Sequence, residues 1–207
     1  MRRETALKII GLMRKELDKG FTIMEISKRL KIGYRPAHIH ISEMIKEGII
    51  IAIKIGASMQ CNLNLENPRC RQLLTEVDLL RKEVLFKENQ KLKSVLESFT
   101  TKLSETLASD MHSIVLFGSY TKDTATKSSD IDLLFIVADM KKKSVRESIE
   151  RECTSYDYSH NLKISPMITD MTELKKMLKA KELNVGKEIR TYGIPLYGSE
   201  IFWRLMT

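Results

Sequence analysis

The sequence predicts an α+β chain: a small helical domain closed by a β-hairpin, a helical linker, and a larger domain with a mixed β-sheet flanked by helices. Three observations predict it. Ser113 to Phe117 and Ile131 to Val137 are short β-branched and apolar runs separated by a polar connection, which is the pattern of two core strands. Apolar residues in the first 48 positions recur at helical spacing and are followed by two β-type runs around a Gly-Ala-Ser turn. Between them, residues from Pro68 to Leu107 carry apolar stripes three and four apart. The expected boundaries are 1–66 for the first domain, 67–91 for the linker and 92–207 for the second domain.

In order along the chain, Ala6, Ile9, Ile10 and Met13 give a first amphipathic helix over 4–18, ended near Gly20. Thr22 with Glu25 three residues on is a capping-box pattern, opening a second helix that buries Ile23, Ile26 and Leu30. Ile32 to Tyr34 is a short turn. Pro36 suits the first position of a third helix, with Ala37, Ile41 and Met44 inward and Gly48 as its stop. Ile49 to Ile55 and Met59 to Leu65 then read as a hairpin.

From Pro68, Leu73, Val77, Leu80 and Val84 form one stripe, and Leu92, Leu96, Phe99, Leu103 and Leu107 a second that leads into the Ser113 strand. Such a stripe packs on a neighbouring domain or dimerises. Val145, Ile149 and Cys153 mark a helix crossing over to a strand at Leu162 to Ile168, completing a strand-helix-strand unit. Asp170 with Glu173 has the spacing of a helix cap ahead of Leu174, Met177 and Leu178. Leu183 to Ile189 is a further helix, and Ile194 to Gly198 a short edge strand or turn before Ile201, Phe202 and Trp203.

Composition excludes several classes. The 207 residues carry a formal charge of +8, with a pI near 9.3, a basic excess that favours polyanionic partners. Residues 1–66 hold 12 Lys and Arg against 7 Asp and Glu, so most of the bias lies there. Cys61, Cys70 and Cys153 have neither disulfide-framework nor zinc-site spacing, which fits a reducing cytoplasm. No segment approaches the ~18 apolar residues of a membrane span, so no membrane partner is expected.

The chemistry concentrates between Ser113 and Val137. Asp130 and Asp132, two apart on a strand, point to one face while Ile131, Leu133 and Phe135 point to the other. Two such carboxylates repel unless a cation joins them, and a hard divalent ion that also takes substrate phosphates is the natural resident, Mg²⁺ or Mn²⁺. Gly118 lets backbone approach a phosphate, and the Ser119 N–H and hydroxyl can donate to it, so the pair would hold a nucleoside triphosphate against metal. Lys122 and Lys127 in the connecting loop either steer that triphosphate or lie solvated.

This arrangement resembles the polymerase β-type nucleotidyltransferases, in particular the minimal ones with Gly-Ser, ten residues, then Asp-x-Asp. Here the elements are Gly118-Ser119, Tyr120 to Ser129, and Asp130-Ile131-Asp132. The resemblance implies Mg²⁺-dependent transfer of a nucleoside monophosphate, with ATP foremost among donors, to a hydroxyl. Asp130 and Asp132 would be catalytic metal ligands, and Gly118 and Ser119 would bind nucleotide. Minimal nucleotidyltransferases are often partnered with small helical toxin-type proteins that they modify, which implies a protein acceptor or toxin partner. Two positions depart from the family pattern. Asp123 stands where the loop often carries a second glycine, and Ser165 stands at the position aligned with a third carboxylate on a later strand.

The first domain resembles the winged helix-turn-helix of prokaryotic DNA-binding proteins over about residues 3–65, with His40 to Gly48 similar to the end of a recognition helix. That resemblance implies that Tyr34, Arg35, His38, Ile39 and Ser42 face the major groove of double-stranded DNA, with Lys54 near the wing and Lys28, Lys31 and Arg2 or Arg3 toward phosphates. A protein-docking or dimerisation role is the alternative. Two functions follow. Either the chain is a nucleotidyltransferase with a DNA-binding domain, a homodimer if it reads two half-sites, or it is a DNA-binding regulator or antitoxin whose second domain binds nucleotide without turnover.

Overall fold

The computed structural model describes residues 3–56, 58–126, 128–160 and 162–206. Arg2, Lys127 and Ala57 of the expected hairpin turn lie outside the described residues. The chain divides into two compact units, one ending at Leu79 and the other running from Leu80 to Met206.

The N-terminal unit begins with α1 (Arg3–Met13), which buries Ala6, Ile9, Ile10 and Met13. A single 3-10 turn over Arg14–Glu16 follows, so the α-helix is shorter than the 4–18 expected. Arg14, at the start of that turn, is withdrawn from solvent and pairs with the equally buried Asp78 at 3.0 Å. Such a pair is costly to desolvate and costlier to break from one side. Phe21–Thr22 forms a two-residue strand, β1, that the apolar pattern did not announce, and Thr22 then closes the expected capping box with Glu25 on α2 (Ile23–Leu30).

Helix α3 spans Tyr34–Lys46 from an N-cap at Gly33, so Pro36 occupies the third helical position rather than the first. The change of position is harmless, because the N–H groups of the first turn lack intrahelical partners in any case. Gly48 follows with a φ of +70°, the left-handed exit expected of it. Strands β2 (Ile50–Ile55) and β3 (Ser58–Leu63) pair antiparallel, and β1 adds to the far side of β3, giving the order β1-β3-β2.

Helix α4 runs unbroken over Pro68–Glu88, and the division between units falls within it. The expected stripe does not continue along it: Leu73 and Val77 are buried, whereas Leu80 and Val84 are 49% and 62% exposed and Leu85 and Phe86 are buried instead. The buried face rotates because the helix serves a different core in each unit.

In the C-terminal unit, α5 (Gln90–Leu107) lays Leu92, Leu96, Phe99, Leu103 and Leu107 on the sheet core. The sheet has the order β6-β5-β4-β7, built from β4 (Met111–Phe117), β5 (Ile131–Val137), β6 (Ile164–Asp170) and β7 (Ile194–Tyr197). Strands β5 and β6 are parallel, joined by the crossover helix α6 (Lys143–His160), while β4 is antiparallel to both β5 and β7. This is the mixed sheet the sequence predicts. Strand β6 starts two residues later than expected. Helices α7 (Met171–Lys179), α8 (Val185–Tyr192) and α9 (Ser199–Leu205) complete the unit, with Phe202 and Trp203 fully buried. Leu183, expected to open the helix before Ile189, is 96% exposed and precedes it.

Candidate active site

The site lies where β4 ends and β5 begins. Antiparallel register sets Phe117 opposite Asp132, so the turn leaving β4 starts beside that carboxylate. Gly118 takes a φ of +73°, and a methyl group built there would lie 2.0 Å from Oδ2 of Asp132. Only a residue without a side chain permits this approach. The glycine expected to admit phosphate therefore first admits Asp132.

The rest of the turn is a 3-10 segment, Gly118–Thr121, tied down by its own polar groups. The Thr121 hydroxyl donates to the Gly118 carbonyl at 3.0 Å, and the backbone N–H groups of Lys122 and Thr124 both donate to the Ser119 carbonyl. Asp123 has a φ of +57°. That is the left-handed region, and aspartate is among the non-glycine residues that tolerate it.

Asp130 and Asp132 come together as their spacing predicts, each partly buried. Burial raises the Asp132 carboxyl above its usual range, the Asp130 and Glu188 charges raise it further, and Lys122 and Lys163 draw it partly back. An acid held in this state is stabilised by a cation. One is already present on its neighbour, where the Lys163 ammonium sits 2.6 Å from Oδ2 of Asp130 and has its own pKa raised by that hydrogen bond. Two adjacent carboxylates are a donor set that a hard divalent ion could share with water and phosphate; among the described residues no cluster of three or more acidic, histidine or cysteine ligands forms.

Ser165 pairs directly with Asp132 across the parallel β5–β6 ladder, so the residue beside this acid is a hydroxyl and not a carboxylate. Asp170 caps α7, accepting from the N–H groups of Thr172 and Glu173, as its spacing predicts. Lys122 lies 2.7 Å from Oε1 of Glu188 and over the Tyr192 ring at 5.7 Å.

Two residues at the site escape sequence reasoning, Lys163 and Glu188. Lys163 had a usable signal. Parallel pairing sets Ile131 beside Ile164, which brings the preceding residues, Asp130 and Lys163, together. Glu188 had none, being one charge on an amphipathic helix far along the chain. In the N-terminal unit, Tyr34, Arg35, His38 and Ile39 are exposed on α3, Ser42 is half-buried, and Lys54 is exposed near the hairpin tip. His38 Nδ1 and the Ser42 hydroxyl are 3.5 Å apart, and Tyr34 leans against His38.

Residues 92–192 match the family described as nucleotidyltransferase domain. The matched stretch contains the glycine turn, both aspartates, Ser165 and Glu188. Two relatives from Methanocaldococcus jannaschii are named as candidate protein adenylyltransferases. One is 29% identical over 119 residues, 56% of this chain and 79% of the relative, and the other 26% identical over 100 residues, 48% and 93%. A crystal structure of a toxin-antitoxin with AMP-PNP aligns at 19% identity over 53% of this chain and 81% of that one, with a TM-score of 0.37. That score is too low to carry any residue across. No helix among the described residues is long and apolar enough to cross a membrane.

Proposed function

We propose that the C-terminal unit is a nucleotidyltransferase that moves a nucleoside monophosphate, with ATP as the preferred donor, onto a protein hydroxyl. The observation that carries this reading is the close approach of Gly118 to Asp132: a left-handed glycine opens just enough space for a partly buried carboxylate beside a second one. A protein acceptor is favoured by the names of the two relatives, both candidate protein adenylyltransferases.

In this reading Asp130 and Asp132 would hold Mg²⁺ or Mn²⁺, and Lys163 is the counterion that Asp130 carries without it. The bound ion supplies charge neutralisation at the phosphates. The Ser119 N–H and hydroxyl donate to the triphosphate, while the hydrogen-bonded turn from Gly118 to Thr124 keeps those donors in place. The N-terminal unit, with three helices, a hairpin and an exposed Tyr34, Arg35 and His38 face, serves as a winged helix on double-stranded DNA, with Lys54 reaching backbone from the wing.

The test is incubation of the full chain with α-labelled triphosphate, Mg²⁺ and cell extract. Label should move to a protein band with the native chain and not with Asp132→Ala. Label that never moves sinks the reading. One observation favours a second reading: Ser165 beside Asp132 removes an acid that a two-metal site would use. Under it the chain binds nucleotide without turnover, as a DNA-binding regulator or antitoxin, and labelled triphosphate is retained but not transferred.

A further inference from the structure

The charge of the C-terminal unit is unevenly spread. Residues 171–192, which carry α7 and α8, hold six Lys and Arg against three Glu, whereas the rest of residues 80–206 holds 15 of each. The whole excess of the unit therefore lies on these two helices, where Lys175, Lys179 and Lys181 are exposed. The same helices border the candidate site, because α8 packs against the Gly118 turn and its Glu188 lies 2.7 Å from Lys122.

Beside these lysines an apolar side chain is left uncovered. Asn184 caps α8 by accepting from the Lys187 N–H, which makes Leu183 the residue before the cap. An apolar residue there commonly packs on the fourth residue of the helix. In α8 that residue is Glu188, whose carboxylate is engaged by Lys122, and Leu183 is 96% exposed. Val185, Glu188 and Tyr192, spaced by three and four, share one side of α8, and Val185 and Tyr192 are exposed as well. The outward leucine is not slack in the chain. Asn184 Nδ2 donates to the Met177 carbonyl at 2.7 Å, and Lys187 Nζ donates to the Lys181 carbonyl at 3.1 Å, so the connection is tied down on both sides of it.

We propose that the α7–α8 edge is the docking surface for the protein acceptor, and that the segment it receives is acidic, with an apolar side chain that covers Leu183 and Val185. This rests on the nucleotidyltransferase reading. The lysines steer an acidic partner and fix its register, while burial of Leu183 anchors it next to the Gly118 turn. A nucleic-acid strand would answer the lysines with its phosphates and leave Leu183 and Val185 facing water. The Tyr192 ring, on which a base could stack, already has the Lys122 ammonium over it at 5.7 Å. An acidic polypeptide satisfies both halves of the surface.

Two fluorescent peptides test this on the full chain, one of Glu, Leu and Tyr and one with Ser in place of Leu. By anisotropy the first should bind about tenfold more tightly than the second, the scale of one buried aliphatic side chain. Leu183→Ser should abolish that difference and lower transfer of label to the extract protein by a similar factor. Lys179→Glu combined with Lys181→Glu should weaken both peptides several-fold at low salt. All these variants should bind a non-hydrolysable ATP analogue with Mg²⁺ as the native chain does, which shows an intact fold. Equal binding of the two peptides, native transfer by Leu183→Ser, or an oligonucleotide that binds the native chain while the acidic peptide does not, overturns the surface and leaves the nucleotidyltransferase reading standing. A native chain that transfers no label overturns that reading and this one with it.

Discussion

The two candidate sites are built in opposite ways. On α3, Tyr34, Arg35 and His38 stand on the outside of a helix, free to follow whatever surface meets them. Around Asp132 nothing is free: the strand register, the left-handed glycine and two lysines fix each charge against another. The contrast teaches where function should tolerate change. An exposed helix face loses affinity in small steps, whereas a carboxylate cluster held by backbone geometry fails when any one constraint is removed.

The largest expected effect is at Asp132. Asp132→Ala should lower transfer by at least about 100-fold, since a bound metal contributes several kcal/mol to the charged transition state; scintillation counting of the acceptor band checks it. Gly118→Ala comes next. Its methyl group meets the Asp132 carboxylate, and a left-handed non-glycine residue costs roughly 1–2 kcal/mol by itself. Transfer should drop steeply together with the urea midpoint, and unchanged activity would break the claim that geometry fixes this site.

Arg35→Ala should act more gently. Binding to a DNA duplex should weaken a few-fold, and the slope of log affinity against log salt should fall by about 0.9 for each phosphate no longer neutralised, as read by fluorescence anisotropy. The smallest effect concerns stability and has the opposite sign to activity. The folded Asp132 carboxyl is raised, so its contribution to stability is present below the ordinary carboxylate range and is lost as pH rises through the folded value. Asp132→Asn should therefore raise the melting temperature slightly at pH 7, and the gain should vanish near pH ~4. An inactive variant that melts higher is the signature of a functional charge held against its preference.

Much of the C-terminal unit was legible in the sequence because its signals are local. Gly118-Ser119, the Asp-x-Asp pair and the flanking apolar runs each announce a strand or a turn within a few residues, and Asp170 announces its helix. What escaped depends on packing between distant segments. Nothing in the sequence marks Arg14 as the buried partner of Asp78, and Leu80 and Val84 read as part of a stripe until Leu85 and Phe86 take the inward positions. Glu188 belongs to the same class. No periodicity distinguishes an acid that faces a turn from one that faces water.

Lys163 on Asp130 and Lys122 on Glu188 mean that the cluster arrives with its own counterions. On the proposed reading, two ammonium groups already offset most of the negative charge that a metal would otherwise have to meet, so the acids can be held side by side before a metal or a nucleotide is bound.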